Sequence, residues 1–278
     1  MADYDYDNPA DAYKEAQRRI KSAKVESATE LDLSGLGLTD VPPEILQLTG
    51  LKILNIRRNQ LASILPEILQ LVGLTELRLD DNRLTSVPPE IGQLTLLDYI
   101  DISENLLTTI PPEIGQLTNL RTIGLDDNLL TTIPSIIWQL KRLKRLWLNA
   151  NQLTAVPPEI GQLTELKFLG LDKNQLTTLP PEITELKQLE DLWLEGNSDL
   201  PLPPEIVGKE NNAQDILDYL RKRQEAPARP LNEAKLILVG QGAVGKTSLV
   251  KRLLGRGFDK AENQTEGINI ETWSLDVN

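Results

Sequence analysis

A spacing of 23 residues governs most of this chain: Asn59, Asn82, Asn105, Asn128, Asn151, Asn174 and Asn197 recur at that interval without a slip. The same frame returns around each of them. In one copy it reads Leu74-x-x-Leu77-x-Leu79-x-x-Asn82-x-Leu84, then Val87-Pro88-Pro89-Glu90-Ile91 and Leu94. A unit this short cannot bury its own leucines, so each copy must be covered by its neighbours, and the chain is predicted to stack into a solenoid. Leu77 and Leu79, two apart, point inward from a short strand. The Asn side chain is predicted to hydrogen-bond backbone where the chain leaves that strand. The Pro pair starts a tight convex return, and Ile91 and Leu94 close the core layer from that side. Full burial of each Leu or Ile contributes about 1.5–3 kcal/mol, and several per copy suffice for a stable stack.

This frame is the leucine-rich repeat signature. Windows of 23 from Ala28 to Asn211 give eight copies. The predicted fold class is α/β, a leucine-rich-repeat solenoid with a parallel concave sheet and helical caps. Low aromatic content, 4%, agrees with a core carried by Leu and Ile. The end copies depart from the frame as caps should: Leu36 stands at the Asn position of the first, and Asp199 and Lys209 replace apolar residues in the last. Asn8-Pro9 reads as an N-cap and first helical residue, with Ala10, Tyr13, Ala16, Gln17 and Ile20 along one face. A second helix is predicted from Asn212 to Arg223, with Ile216, Leu217 and Leu220 on one side. The segment Gln224-Glu-Ala-Pro-Ala-Arg-Pro230 is a linker stiffened by two prolines. The organisation expected is a cap helix over 1–27, repeats over 28–211, helix and linker over 212–232, and a further domain over 233–278.

That last segment opens on Leu236-Ile-Leu-Val239, which reads as a buried parallel strand. Gly240-Gln-Gly-Ala-Val-Gly-Lys-Thr247 follows, with Ser248 behind it, and fits the phosphate-loop pattern G-x-x-x-x-G-K-[ST]. Gly240 and Gly245 let the backbone turn tightly so that successive N–H groups, among them those around Gly242, Ala243 and Val244, face a phosphate. The residues Thr247 to Leu254 have helical spacing, and the positive end of that helix points at the same place. Lys246 supplies a point charge for the β- and γ-phosphates, and Thr247 a hydroxyl for Mg²⁺.

On the repeats, residues between the strand leucines face the concave surface and can be read in columns. One column holds Asp80, Ser103, Asp126, Asn149, Asp172 and Glu195, and its neighbour holds Asp81, Glu104, Asp127 and Lys173. Nearer the C-terminal end, Trp147, Phe168 and Trp193 fall on adjacent strands, read as diagonal to one another. An aromatic cluster beside an acidic stripe points to a protein-binding surface comprising Trp147, Phe168, Trp193, Asp126, Asp172 and Glu195. The alternative is a solvated acidic face with incidental aromatics. Arg57 and Arg58 at the other end meet an acidic partner or simply solvate the face.

The formal charge of −12 disfavours nucleic acid and anionic membranes as partners. Without Cys or His, thiol catalysis, disulfides and His-based mechanisms are excluded. The N-terminus lacks signal-peptide character and no apolar run is long enough to span a membrane, so a cytoplasmic protein is expected.

Residues 240–249 resemble the first motif of Ras-like small GTPases. Phe258 lies 12 residues after Lys246, the spacing of the aromatic over guanine in that family, and Thr265 lies 19 after it, matching the switch I threonine on Mg²⁺. Repeats leading through a helix into a Ras-like domain resemble Roco proteins, bacterial relatives of the human leucine-rich repeat kinases. The resemblance implies GTP or GDP with Mg²⁺, held by Thr247 and Thr265, and GTP hydrolysis in the intact protein. It also implies a homodimer through a COR domain, and a concave face that meets either a protein partner or the protein's own GTPase or COR domains. The chain ends at Asn278, inside what reads as the second G-domain strand, before any D-x-x-G or N-K-x-D motif. This chain alone is therefore expected to bind nucleotide weakly or not at all, and no catalytic residue is assigned. A leucine-rich scaffold without nucleotide function and a phosphate-loop ATPase of another class stand as alternatives.

Overall fold

The computed structural model describes residues 8–207 and 213–225. Eight three-residue strands form one parallel sheet in strictly sequential order: β1 Glu30–Asp32, β2 Ile53–Asn55, β3 Glu76–Arg78, β4 Tyr99–Asp101, β5 Thr122–Gly124, β6 Arg145–Trp147, β7 Phe168–Gly170 and β8 Asp191–Trp193. Each strand pairs with the next at an offset of one repeat, Leu77 opposite Leu54 and Ile100. The middle residue of every strand points into the core, from Leu31 to Leu192, and all are buried. On the opposite side, seven 3-10 turns run from Pro43–Gln47 to Pro181–Glu185 among the described residues. Most open on proline, whose fixed φ suits a first helical position. Their isoleucines, Ile45, Ile91, Ile114, Ile137, Ile160 and Ile183, close the layer that the strand leucines begin.

The asparagines behave as the frame predicts. Asn82 Oδ1 accepts from the Leu61 N–H at 3.1 Å, while its Nδ2 donates to the carbonyls of Ile56, Leu79 and Asp80. Every repeat asparagine thus bonds two successive turns, and all seven are buried. The residue before each asparagine has positive φ: Arg58, Asp81, Glu104, Asp127, Ala150 and Lys173 lie between 48 and 54°, and Gly196, before Asn197, at 78°. A non-glycine residue there costs about 1–2 kcal/mol. The asparagine bonds and the continuing ladder, such as Asp81 N–H to Ser103 O at 3.0 Å, offset it.

Helix α1, Pro9–Glu26, is capped by Asn8, whose Oδ1 accepts from Ala10 N–H at 3.0 Å. Its buried stripe is Ala12, Ala16, Ile20 and Ala23, so the expected stripe needs correction: Ala10 is exposed, and Tyr13 and Gln17 are half-buried. Three alanines on the buried stripe let the helix approach the first repeat closely, where Gln17 Nε2 donates to Glu44 Oε1 at 3.0 Å. At the far end a short α2, Pro204–Val207, stands in the last repeat, followed by α3, Ala213–Glu225. Ala213, Ile216 and Leu217 are buried, Leu220 is half-buried, and Gln214 Nε2 donates to Leu189 O at 3.0 Å, tying α3 to the final layer. One convex position was not anticipated. Trp138 replaces the glycine found at 92, 115 and 161, and lies buried with its indole N–H unpartnered.

Candidate protein-recognition surface

The strand register decides which concave side chains meet. Trp147 and Trp193 both align with Gly170 of the strand between them. Strands two apart are separated by roughly 10 Å, yet the indoles lean over the bare glycine until their centroids are 5.0 Å apart. Phe168 adds centroid distances of 6.5 Å to Trp147 and 6.3 Å to Trp193. The diagonal arrangement read from sequence holds between adjacent strands, with Phe168 two residues out of line with each tryptophan, while the two tryptophans, two strands apart, share one column. All three are half-buried, each shielding the others. A Cβ at Gly170 would also come within 2.5 Å of the Asn149 amide, which would have to shift from its bond to the Asp172 N–H. On the other flank, the Arg145 guanidinium stacks over Phe168 at 5.2 Å.

The acidic column lies at the C-terminal ends of the strands. Asp126 Oδ1 accepts from Asn149 N–H at 2.8 Å, and Asn149 Oδ1 accepts from Asp172 N–H at 3.1 Å, so the column is stitched to the backbone of successive repeats. Burial pushes the Asp126 carboxyl up to about 6 against its Asn149 hydrogen bond, helped by the charges of Asp101, Asp127 and Asp172. Burial likewise raises Asp172 and Asp80, the latter in spite of Arg57 at 3.3 Å. Glu195 is exposed. Asp101, not singled out in sequence, accepts from Tyr99 Oη at 3.0 Å and Ser103 Oγ at 2.7 Å, and burial with the Asp101 charge pushes Tyr99 ionisation up. Arg57 and Arg58 face Asp80 and Asp81 at 3.3 and 3.9 Å, which favours the solvated-face reading for that end.

A folded-state carboxyl raised from 3.8 to about 6 holds its proton more tightly than in the unfolded chain. The folded state then binds more protons across that interval, so this residue's contribution falls as pH climbs through it. Asp126→Asn keeps the acceptor for Asn149 and removes the charge. It is expected to stabilise the repeats at about pH 8 by about 1 kcal/mol, since solvent still reaches the half-buried carboxylate, and to leave stability at about pH 4 unchanged. Parallel urea-unfolding profiles for the two proteins over that range would contradict this.

Two cavities open on the concave face, of about 590 and 400 Å³. The larger carries Arg121, Lys144, Arg145 and Lys167, a basic set that sequence reading missed because acidic residues outnumber basic ones and the lysines stand just before the strands. No group of metal-ligating side chains and no helix long and apolar enough to cross a membrane occur among the described residues. The residues assigned to nucleotide and Mg²⁺, Gly240, Gly242 to Ser248, Phe258 and Thr265, lie outside the described residues.

Comparison with protein families agrees with this architecture. A leucine rich repeat family matches residues 72–130 and 141–198, and a two-copy leucine rich repeat family matches 118–161. The Roc domain family, Ras of Complex, Roc, domain of DAPkinase, matches 235–278. The chain is a leucine-rich-repeat solenoid protein. Its repeats are followed by the match to Roc, the order found in Roco-type proteins. Among solved structures, a leucine-rich-repeat protein of Leptospira interrogans is similar with 41% identity and a TM-score of 0.63, over 73% of this chain and 50% of that one. The chain thus spans about half the length of that protein. The leucine-rich repeat domain of the type III effector XopL is similar with 25% identity and a TM-score of 0.58, over 72% and 79%. The PEPR1-AtPEP1 crystal structure is similar with 29% identity and a TM-score of 0.54, over 60% and 24%. Comparison with curated proteins returned no match.

Proposed function

We propose that the repeats recognise a protein segment on their concave face and thereby regulate a GTP-binding Roc domain in the intact protein. The observation that carries the first half is the tryptophan pair meeting at 5.0 Å over Gly170, with Phe168 packed beside it. Nothing in the core requires aromatic residues there, since the layer beneath is closed by Leu146, Leu169 and Leu192. A preassembled aromatic patch loses little side-chain freedom on binding, and such residues dominate interface energies. Asp126, Asp172 and Glu195 alongside favour a basic segment and speed its approach. That segment belongs to a separate protein or to the GTPase or COR portion of the same protein, the latter making the face an internal latch in a cytoplasmic homodimer.

The second half rests on the Roc match and the phosphate-loop spacing. Gly240, Gly242, Ala243, Val244, Gly245, Lys246 and Ser248 would surround the phosphates of GTP or GDP, Phe258 the base, and Thr247 and Thr265 the Mg²⁺. A leucine-rich scaffold without nucleotide function is the competing reading.

The double substitution Trp147→Ala with Trp193→Ala leaves the buried leucine layer in place, so the repeats should keep their circular dichroism spectrum. Each anchor contributes about 2 kcal/mol or more when buried by a partner, so the pair should weaken that contact at least ~100-fold. In the full-length protein, cross-links from the concave face should disappear and the GTPase rate should change. Unaltered cross-links and an unaltered rate would reduce the patch to decorated surface.

A further inference from the structure

The larger cavity sits at the N-terminal ends of β4, β5 and β6, and its charge is opposite to that of the acidic column. Two of its cations are neutralised within the sheet: Arg121 faces Asp98 at 3.5 Å, and Lys167 faces Glu190 at 2.6 Å. Glu76, also on the wall, holds Arg78 at 2.5 Å. Lys144 and Arg145 have no ion-pair partner among the described residues. Arg145 is nonetheless held in place, because its guanidinium lies 5.2 Å over the Phe168 ring. Stacking occupies the faces of the guanidinium and leaves its N–H edges free, the edges that take a carboxylate in a two-point bond.

The smaller cavity shares Tyr99, Thr122 and Arg145 with the larger one and ends on Asp101, Asp126 and Trp147. The two form one trough. Its floor is β5, where Thr122 and Gly124 are buried and small, while Tyr99 on one side and Trp147 on the other rise as walls. Gly124 cannot be enlarged cheaply, since a Cβ would meet Asp101 Oδ1 at 2.4 Å and Ser103 Oγ at 2.9 Å. The trough is therefore basic at the start of the strands and acidic at their ends. Arg145 opens β6, and the Asp126 row lies four residues further along the strand direction, a distance of about 13 Å at 3.3 Å per residue.

We infer that the partner segment is dipolar: an extended stretch of protein with an acidic and a basic side chain about four residues apart. Its carboxylate sits between Lys144 and Arg145, in the row of Tyr99, and its cation sits past the Trp147 row at Asp126, with Asp101 on the near side. This deepens the recognition reading above and rests on it. An all-basic segment, which the acidic column alone would suggest, would leave the two unpaired cations facing like charge. The trough thereby sets the direction in which the segment lies, carboxylate toward the strand starts, as well as its charge.

A random peptide library displayed on phage, selected against the full chain, tests this directly. Selected peptides should carry an acidic and a basic residue at that separation, and their affinity should fall as salt rises. Lys144→Gln with Arg145→Gln changes one half-buried and one exposed side chain on the trough and none in the leucine core, and an unchanged thermal midpoint would establish the fold. On that variant the selected peptides should lose affinity about tenfold or more, and a fresh selection should drop the acidic residue while keeping the basic one. Peptides without an acidic residue, or peptides indifferent to this variant yet lost with Trp147→Ala and Trp193→Ala, would overturn the dipolar segment while leaving the recognition surface standing. A selection yielding no peptide sensitive to either variant would remove both.

Discussion

Asn128→Ala is expected to destabilise the repeat array by on the order of 3 kcal/mol, as much as many core leucine truncations. Asn128 Oδ1 is the acceptor for the buried Leu107 N–H at 3.0 Å. Its Nδ2 donates to the carbonyls of Ile102, Leu125 and Asp126 at 3.0, 3.2 and 3.1 Å. The losses are unequal. Ile102 O keeps the Asn105 amide and Leu125 O keeps the Asn151 amide, because neighbouring asparagines share these carbonyls. The Leu107 N–H is left without its acceptor, a penalty of about 1–3 kcal/mol, and the weakened carbonyls add smaller amounts. Asn128→Asp separates the contributions: it restores an acceptor for Leu107 but turns a carboxylate oxygen toward three carbonyls. It should therefore be at least as damaging as alanine near neutral pH. Urea unfolding followed by circular dichroism would settle both, and an alanine variant within about 0.5 kcal/mol of the parent would contradict the ladder's role. The first repeat shows the converse. No repeat precedes it to supply carbonyls, and the equivalent position is Leu36, buried and apolar.

Lys246→Ala in the full-length protein is expected to weaken GTP binding by about 100-fold or more while leaving the repeats untouched. The lysine of a phosphate loop is a point charge placed on the β- and γ-phosphates, and truncating one member of a desolvated charge pair costs about 2–5 kcal/mol. Its effect on repeat stability should be nil, since distant sites without shared partners add independently. The measurement is titration calorimetry with GTP, set beside the thermal midpoint of the repeats. Retained GTP affinity would remove Lys246 from the phosphate site and favour the scaffold reading. A shifted repeat midpoint would mean that the two parts are coupled.

Much of the solenoid could be read without coordinates, because the repeat is a physical rule applied many times. The leucines two apart had to face one side of a strand, and a unit that cannot close its own core had to stack. The asparagine's interval of 23 fixed where the chain turns. Cap helices were legible too, through Asn8-Pro9 and through the apolar Ile216 and Leu217, although the buried stripe of α1 proved to run through Ala12 rather than Ala10. Either alanine fits helical spacing, and only contact with the first repeat chooses between them.

The left-handed column carried no such signal. Of Arg58, Asp81, Glu104, Asp127, Ala150 and Lys173, only the two aspartates have any leaning toward positive φ. Their conformation is imposed by the ladder and the asparagine bonds on either side, which exist only once neighbouring repeats are in place. The recognition surface divides in the same way. Periodicity put Trp147, Phe168 and Trp193 on one face, and the acidic column beside them. Whether two indoles on strands roughly 10 Å apart touch depends on what stands between them, and it is the bare backbone of Gly170 that lets them meet. The trough joining Lys144 and Arg145 to Asp126 was invisible for the same reason. Its walls, Tyr99 and Trp147, come from two repeats and its floor from the repeat between them, where side chains are small, so charge counted along the chain says nothing of it. The sequence by itself determined the period, the layers and the faces, because these follow from spacing along one chain. The tertiary structure alone decided which groups on those faces lie within reach of each other, because that depends on register and on the volume of the residue in between.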